Sequence, residues 1–292
     1  SEDILRQRTA LALSEIFVVS EQSDLNTTAY GLSDYYDLLY KNSFGNYRDL
    51  LYDVTLHPSM GYYLSHLNNP KADPSLNTHP DENYAREVMQ LFSIGLYELN
   101  LDGTRKLDVN GDFIPTYDNA DIGELAKVFT GLAPGEYYWH WDPSVAAIPV
   151  QWANQFNIPY TINMQKPMQM MNAWHEQGEK HLLNNRTVPA GQTALQDIDD
   201  AVDNLFNHPN VGPFMARALI QRLVKSNPTP AYIERVATVF NDNGQGERGD
   251  LGAVVKAILL DSEARDCSWL DDPYSGKLRE PFVRATHLLK AF

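Results

Sequence analysis

The chain has 292 residues, 43% of them hydrophobic, so it can bury a sizeable core as one large domain or two moderate ones. It carries 38 acidic side chains against 23 Lys and Arg, and the formal charge of −15 argues against non-specific binding to nucleic acid, whose phosphates would be repelled. No apolar run approaches the roughly 18 residues of a membrane span, and the single cysteine, Cys267, excludes an internal disulfide framework and a Cys-type zinc site.

Apolar periodicity predicts helices separated by Pro, Gly and polar breaks. In the first half these helices cover 2–19, 32–39, 47–56, 60–67 and 122–132. In the last third they cover 196–206, 214–224, 231–240 and 251–260, a spacing typical of a compact helical bundle. Because the chain begins at Ser1 rather than Met and stops inside the amphipathic run 277–292, we interpret it as a fragment of a longer polypeptide.

The stretch 78–95, T-H-P-D-E-N-Y-A-R-E-V-M-Q-L-F-S-I-G, combines helix signals with functional side chains. Thr78 can serve as the N-cap residue, and Gly95 is placed to end the helix in a left-handed cap. At about 100° per residue the apolar side chains share one arc. These are Tyr84, Ala85, Val88, Met89, Leu91 and Phe92.

Glu82, Arg86 and Glu87 lie on the polar side of this predicted helix, where Glu82 and Arg86 form an i,i+4 pair in the favourable order. One interpretation is an ordinary solvated charged face. The other is that these side chains line a polar cleft, in which carboxylates beside an arginine act as acid and base or ligate a metal.

Two connecting segments also carry signals. The dipeptide Asn110-Gly111, between 106–109 and 112–116, predicts a small two-stranded β-hairpin flap. The segment 135–167 is long, irregular and aromatic, as lids and binding surfaces often are. Its candidate binding residues are Tyr137, Trp139 and Trp141, which could stack on sugar rings or bases, and the alternative is that they fill a local core.

A second polar cluster follows from 164 to 183. His175 and Lys180 are candidates for acid-base chemistry. His175 and His181, close to four methionines, are also candidate ligands for copper or another divalent metal. The alternative for the methionines is apolar packing.

The segments 56–61, L-H-P-S-M-G, and 207–212, N-H-P-N-V-G, echo one another between helices. Helix-breaking His-Pro junctions explain this echo without function. We predict a single large helical domain, 1–292, and the echo leaves open a second organisation. In that organisation two related helical halves, 1–133 and 190–292, are joined by an irregular segment, 134–189.

Several stretches together resemble one bacterial family, the domain of unknown function 1800. They are R-Q-R-T-A-L-A-L-S-E-I-F-V-V-S, F-G-N-Y-R-D-L-L, T-L-H-P-S-M-G-Y-Y-L, P-D-E-N-Y-A-R-E-V-M-Q-L-F-S-I-G, G-E-K-H-L-L, H-P-N-V-G-P-F-M-A-R-A-L-I, G-D-L-G-A-V-V-K-A-I-L-L-D and G-K-L-R-E-P. The resemblance implies an exported protein, periplasmic, on the cell surface or extracellular, and it implies no catalytic residues. The family usually reads His-Asp before G-E-K, whereas this chain has the longer His175-Glu176-Gln177.

We therefore predict an all-α fold, a multi-helix orthogonal bundle with a small β-hairpin flap and one long irregular aromatic loop. The favoured function is an extracellular enzyme acting on a polysaccharide or a similar polymer, with Glu82, Arg86, Glu87, His175 and Lys180 around its cleft. One alternative is a non-catalytic module that binds a glycan or a partner protein through the aromatic loop. The other is a metal-binding redox protein.

Overall fold

Helices lie on both sides of the stretch 78–95, which we call the central stretch. The computed structural model describes residues 3–23, 25, 28–139, 147–149, 160–273 and 275–291. The helices of the first half are α1 (Ile4–Ser14), α2 (Ala29–Asn42), α3 (Tyr47–Leu56), α4 (Pro58–Tyr63), α5 (Asn83–Glu87) and α6 (Asn119–Val128). Those of the second half are α7 (Ala194–Phe206), α8 (Val211–Leu223), α9 (Pro230–Asn241), α10 (Leu251–Leu260), α11 (Ser262–Arg265) and α12 (Pro281–Ala291). The helix-rich class is confirmed, and the orthogonal arrangement stays a prediction.

The central helix begins later than its sequence predicts. Helix α5 starts at Asn83 with Glu82 as its N-cap residue, so the assignment of Thr78 as the N-cap is wrong. The backbone of Thr78 instead pairs with that of Asp73, with 3.1 Å from Thr78 N to Asp73 O. The predicted end is confirmed, because Gly95 has a φ of +71° and its N–H donates to Met89 O at 2.9 Å.

After Glu87 the helix continues as a π-helical turn (Val88–Ser93), and this changes which side chains are buried. Most of the predicted apolar arc is buried, namely Tyr84, Ala85, Val88, Met89 and Phe92. Leu91, by contrast, is 50% exposed. A π-helix bonds residue i to i+5 and so holds more residues per turn than an α-helix. The wider turn rotates Leu91 out of the arc, and a regular helical period could not predict this.

One hydrophobic cluster includes side chains from both halves of the described chain, from Leu13 to Ile258. Within it Tyr47, on α3, is fully buried and donates its hydroxyl hydrogen to Phe92 O in the π-helical turn. The Tyr47 ring also meets the Phe240 ring of α9 edge to face, with 5.5 Å between the centroids. A tyrosine of the first half is thus packed between the central stretch and the last third.

Short antiparallel strands lie within and next to the segment predicted to be irregular, 134–189. They are β1 (Leu132–Ala133), β2 (Glu136–Trp139), β3 (Ala147–Pro149), β4 (Tyr160–Ile162), β5 (Gln169–Met170), β6 (Lys180–Leu182) and β7 (Arg186–Val188). Strand β1 pairs with β5, β2 lies between β3 and β4, and β6 pairs with β7. The irregular description therefore fails for these residues.

The predicted hairpin, 106–116, lies within a longer segment, 96–116, which we call the flap and which is held by isolated bridges. Leu107 pairs with Phe113 across the Asn110-Gly111 turn, and Tyr97 pairs with Pro115. Asn210, at the start of α8, holds the first residues of the flap. Its Nδ2 donates to Ile94 O at 2.8 Å and to Tyr97 O at 2.9 Å. The flap is thus anchored to the C-terminal helices.

The two His-Pro junctions share one local structure. His57 Nδ1 accepts from the N–H of Ser59, and His208 Nδ1 accepts from the N–H of Asn210, each at 3.1 Å. Burial lowers the pKa of both histidines. Because the ring lone pair is engaged in this local turn, we interpret these histidines as structural.

Gly95→Ala is expected to lower the free energy of unfolding by about 1–2 kcal/mol, because an alanine is strained at positive φ. Its Cβ would also lie 3.0 Å from Phe214 Cε2. Gly111→Ala is the matched control, since Gly111 has a φ of +89° but no atom within 4 Å of the added Cβ. Urea denaturation should show the larger loss for Gly95→Ala, and equal losses would contradict the role of the Phe214 contact.

Candidate functional site

An open cleft of about 390 Å³ brings together polar side chains from separate parts of the chain. The residues that define its chemistry are His79, Glu82, Gly123, Glu124, Lys127 and Glu176. Glu82 comes from the central stretch and Glu176 from the second polar cluster. The structure therefore places one predicted site residue, Glu82, beside a neighbour of another, His175.

Glu82 precedes α5 and points one oxygen toward α6. Its Oε2 pairs with Arg86 Nη2 at 3.4 Å, which confirms the i,i+4 pair. Both side chains are exposed, so the pair contributes little to stability. An added Cβ on Gly123 would lie 3.8 Å from Glu82 Oε1, an ordinary contact distance, so this carboxylate lies close to α6.

Glu124 is a held anion on the α6 side of the cleft. Its Oε1 pairs with Lys127, and its Oε2 accepts from the N–H of His181 at 3.0 Å. Burial raises the pKa of Glu124, but the bonds from Lys127 and from the His181 backbone outweigh burial, so the net pKa is lowered. Glu124 therefore supplies fixed negative charge rather than a proton.

Glu176 also lines the cleft and is held through its backbone and one oxygen. Its N–H donates to Thr130 Oγ1 at 2.9 Å, and its Oε1 accepts from the N–H of Gly178 at 2.8 Å. Its Oε2 makes no hydrogen bond with any residue that the structure describes. This oxygen is available to a ligand in the cleft.

A buried triad of His175, Lys180 and Asp197 fixes the segment that presents Glu176. The three side chains are at most 1% exposed. Asp197 Oδ2 lies 2.9 Å from His175 Nε2 and 2.6 Å from Lys180 Nζ. The other ring nitrogen, His175 Nδ1, lies 2.8 Å from Thr130 O. Both ring nitrogens of His175 therefore lie within hydrogen-bond distance of an oxygen.

Lys180 has no free donor. Besides Asp197, its Nζ donates to Glu176 O at 2.6 Å and to Gly178 O at 3.0 Å. An ammonium group has three N–H donors, and all are used here. The buried position of His175 and Lys180 therefore favours a positioning role for both, with Glu176 as the side chain that they place.

Asp197, near the start of α7, is one residue that sequence reasoning missed, as it also missed Glu124 and Glu176. Burial raises its pKa, but hydrogen bonds from His175, Lys180 and Gln192 outweigh burial and lower the net pKa. A usable signal was present, because Asp197 falls beside Ile198 and Ala201 on the apolar face of an amphipathic helix. A carboxylate on such a face needs buried partners.

Two of the candidate residues in the central stretch, unlike Glu82, do not line the cleft. Arg86 and Glu87 do not line it. Glu87 Oε2 is buried without a hydrogen-bond partner among the described residues. Burial raises the pKa of Tyr117. The charge of Arg86 lowers this pKa and that of Glu87 raises it, each by less than burial does, so these three side chains share one neighbourhood.

The candidate metal ligands have different surroundings. His175 is buried in the triad, whereas His181 is 64% exposed and lies 3.5 Å from Glu179. Two of the four methionines, Met164 and Met168, are buried in packing positions. Within the described ranges, no group of three or more His, Cys, Asp or Glu side chains is arranged to hold a metal ion.

The candidate binding aromatics fall in the least described part of the chain. Tyr137 and Trp139 belong to β2, where Tyr137 is in register with Ile148 of β3 and Ile162 of β4. Trp141 lies outside the described residues. Their role in binding stays a prediction.

None of the helices in the described ranges is both long and apolar enough to span a bilayer.

The chain matches one family of proteins. A family model with the description "Protein of unknown function (DUF1800)" matches residues 1–291. No curated protein and no solved structure matches the chain. The motif resemblance is thereby confirmed over essentially the whole sequence, and the chain belongs to the DUF1800 family.

Proposed function

We propose that the cleft between Glu82 and Glu176 is the active site of a hydrolase that acts on a polysaccharide or a similar polar polymer. The observation that carries this proposal is that two carboxylates from distant segments line one open cleft. Each has an oxygen without a hydrogen bond to a described residue. Paired carboxylates that transfer protons are the usual machinery of glycoside hydrolysis.

The surroundings suggest separate roles for the two carboxylates. Arg86 supplies a positive charge 3.4 Å from Glu82, so we assign Glu82 as the base that activates water. Among the described residues Glu176 forms no ion pair, whereas Glu82 has Arg86 beside it. We therefore assign Glu176 as the acid that protonates the leaving group.

Three further features support a polymer as substrate. The cleft is open at the surface, and His79 and Lys127 add hydrogen-bonding groups suited to hydroxyl-rich chains. The strongly acidic composition and the family resemblance favour action outside the cell. The buried triad would keep Glu176 in place as substrate enters, because rigid support preserves catalytic geometry.

Glu82→Gln and Glu176→Gln are each expected to reduce hydrolysis by about 100-fold or more, because glutamine keeps the size of the side chain but cannot transfer the proton. Glu234→Gln, at an exposed position of α9, is the matched control and should retain full activity. The measurement is release of reducing ends from a panel of soluble plant, fungal and bacterial polysaccharides.

The outcomes separate the alternatives. Hydrolysis by the wild type that both cleft variants retain would overturn the assignment of these residues. Binding of a polysaccharide without hydrolysis, weakened in Glu82→Gln, would favour the glycan-binding module. A folded protein that neither binds nor cleaves any member of the panel would contradict the proposed substrate class.

A further inference from the structure

A second pocket, of about 360 Å³, lies where the π-helical turn, the flap and α8 meet. Two of its lining side chains are arginines, Arg105 from the flap and Arg217 from α8. The acid-base cleft described above contains neither of them. The pocket is therefore separate from that cleft.

The two arginines of this pocket have no ion-pair partner among the described residues, although the chain has 38 acidic side chains against 23 Lys and Arg. Arg217 donates to Gly103 O. Burial and the charge of Arg105 lower the pKa of Arg217, and Asp102 offsets them only in part. Two neighbouring guanidinium groups without a carboxylate favour an anionic ligand.

The charge of Asp102 acts on Arg217, but the Asp102 carboxylate is hydrogen-bonded within the flap, and Arg105 is held by two rings. Asp102 Oδ1 accepts from the N–H of Thr104 at 2.9 Å and from Thr104 Oγ1 at 2.6 Å, so its position serves the flap turn. Arg105 lies over the Tyr97 and Phe113 rings, 4.7 and 4.8 Å from their centroids. The guanidinium group is thus positioned before any ligand arrives.

The rest of the pocket is largely apolar. Leu91 and Leu96 are 50% and 49% exposed, and Phe214 of α8 also lines the pocket. Leu91 reaches this surface because the π-helical turn rotates it out of the buried arc. π-turns inside helices occur frequently at functional sites. The pocket therefore combines a cationic end with an apolar wall.

We propose that this pocket binds a small amphipathic carboxylate, with its carboxylate paired to Arg105 and Arg217 and its alkyl tail against Leu91, Leu96 and Phe214. A volume of about 360 Å³ is within the range of small-molecule sites. The charge of the arginines selects the headgroup, and the exposed leucines select the tail. The inference does not depend on the hydrolase proposal.

Isothermal titration calorimetry with octanoate tests the proposal, with octanol as the tail without the charge and acetate as the charge without the tail. We expect octanoate to bind at least 10-fold more tightly than either control. Arg105→Gln should weaken octanoate binding at least 10-fold. Arg186→Gln is the matched control, because Arg186 is an exposed arginine paired with Asp200, and it should leave binding unchanged.

Arg217→Gln should also weaken octanoate binding. Because Arg217 donates a hydrogen bond to Gly103 O as well, this variant can fail to fold. In that case Arg105→Gln decides the test. Octanoate and octanol binding equally, octanoate binding that survives Arg105→Gln, or no binding of octanoate to the wild type would each overturn the proposal. None of these results depends on hydrolysis in the other cleft.

Discussion

Asp197→Asn is expected to destabilise the protein by about 3–5 kcal/mol, as removal of one partner from a buried ion pair generally does. Asparagine keeps the size of the side chain but removes its charge. Lys180 and His175 would then remain almost fully buried without their anion, and a buried charge without a partner is costly. Urea denaturation at pH 7 measures the loss.

The control is Asp203→Asn on the same helix. Asp203 pairs with Arg48 at 2.8 Å, but its side chain is 56% exposed, so removal of its charge should cost less than about 1 kcal/mol. If Asp197→Asn proved as mild as Asp203→Asn, the triad would not be holding the segment 175–180. Lys180→Met combined with Asp197→Asn should cost less than the sum of the single changes, because it removes the stranded cation.

The pKa of Asp197 adds a signature at low pH. Its folded pKa is lowered from 3.8, so its contribution to stability is fully present above pH 3.8 and is lost as the pH falls through the lower folded value. The Asp197→Asn variant lacks this loss. The difference in unfolding free energy between the wild type and this variant should therefore shrink below pH 3.8.

The sequence predicts helix boundaries well where the N-cap residue and the period of the apolar residues indicate the same limits. The range 47–56 was predicted to the residue, since Asn46 accepts from the Arg48 N–H at the start and Pro58 follows the end. The range 251–260 was also predicted to the residue, where Asp250 caps Ala253 N. Local chemistry sets such boundaries, so local reasoning finds them.

The sequence fails where tertiary contacts decide. Nothing in the period of the central stretch predicts the π-helical turn, whose Ser93 Oγ donates to Val88 O five residues back. The pairing of Thr78 with Asp73 likewise overrides an apparent N-cap. The polar residues could be selected by type, but only the packing of α6 between two distant segments places Glu82 and Glu176 in one cleft.

His66 should make the protein less stable as the pH falls from 6.5 toward 4. Its side chain is buried, its ring stacks on Tyr84 at a centroid distance of 3.9 Å, and its Nε2 donates to Thr55 O at 3.0 Å. Burial lowers the pKa of His66 from 6.5 to about 4, and the bond to Thr55 offsets burial only in part. The ring is therefore neutral in the folded protein at neutral pH.

The sign follows from linkage. Between pH 6.5 and about 4 the unfolded chain binds a proton at His66 that the folded protein excludes, so stability falls as the pH falls through this window. The difference between the two pKa values corresponds to about 3 kcal/mol, fully lost near and below pH 4. This window lies above that of Asp197, so the two effects separate on the pH axis.

His66→Gln tests this directly, because glutamine retains an N–H donor for Thr55 O and does not titrate. The variant should show a pH profile of unfolding free energy that is flatter by about 3 kcal/mol between pH 6.5 and 4. Some slope should remain, since burial also lowers the pKa of His57 and His208. The control is His181→Gln at a 64% exposed position, which should reproduce the wild-type profile. A wild-type slope in His66→Gln would mean that water or a rearranged partner reaches Nδ1, the buried nitrogen without a partner among the described residues.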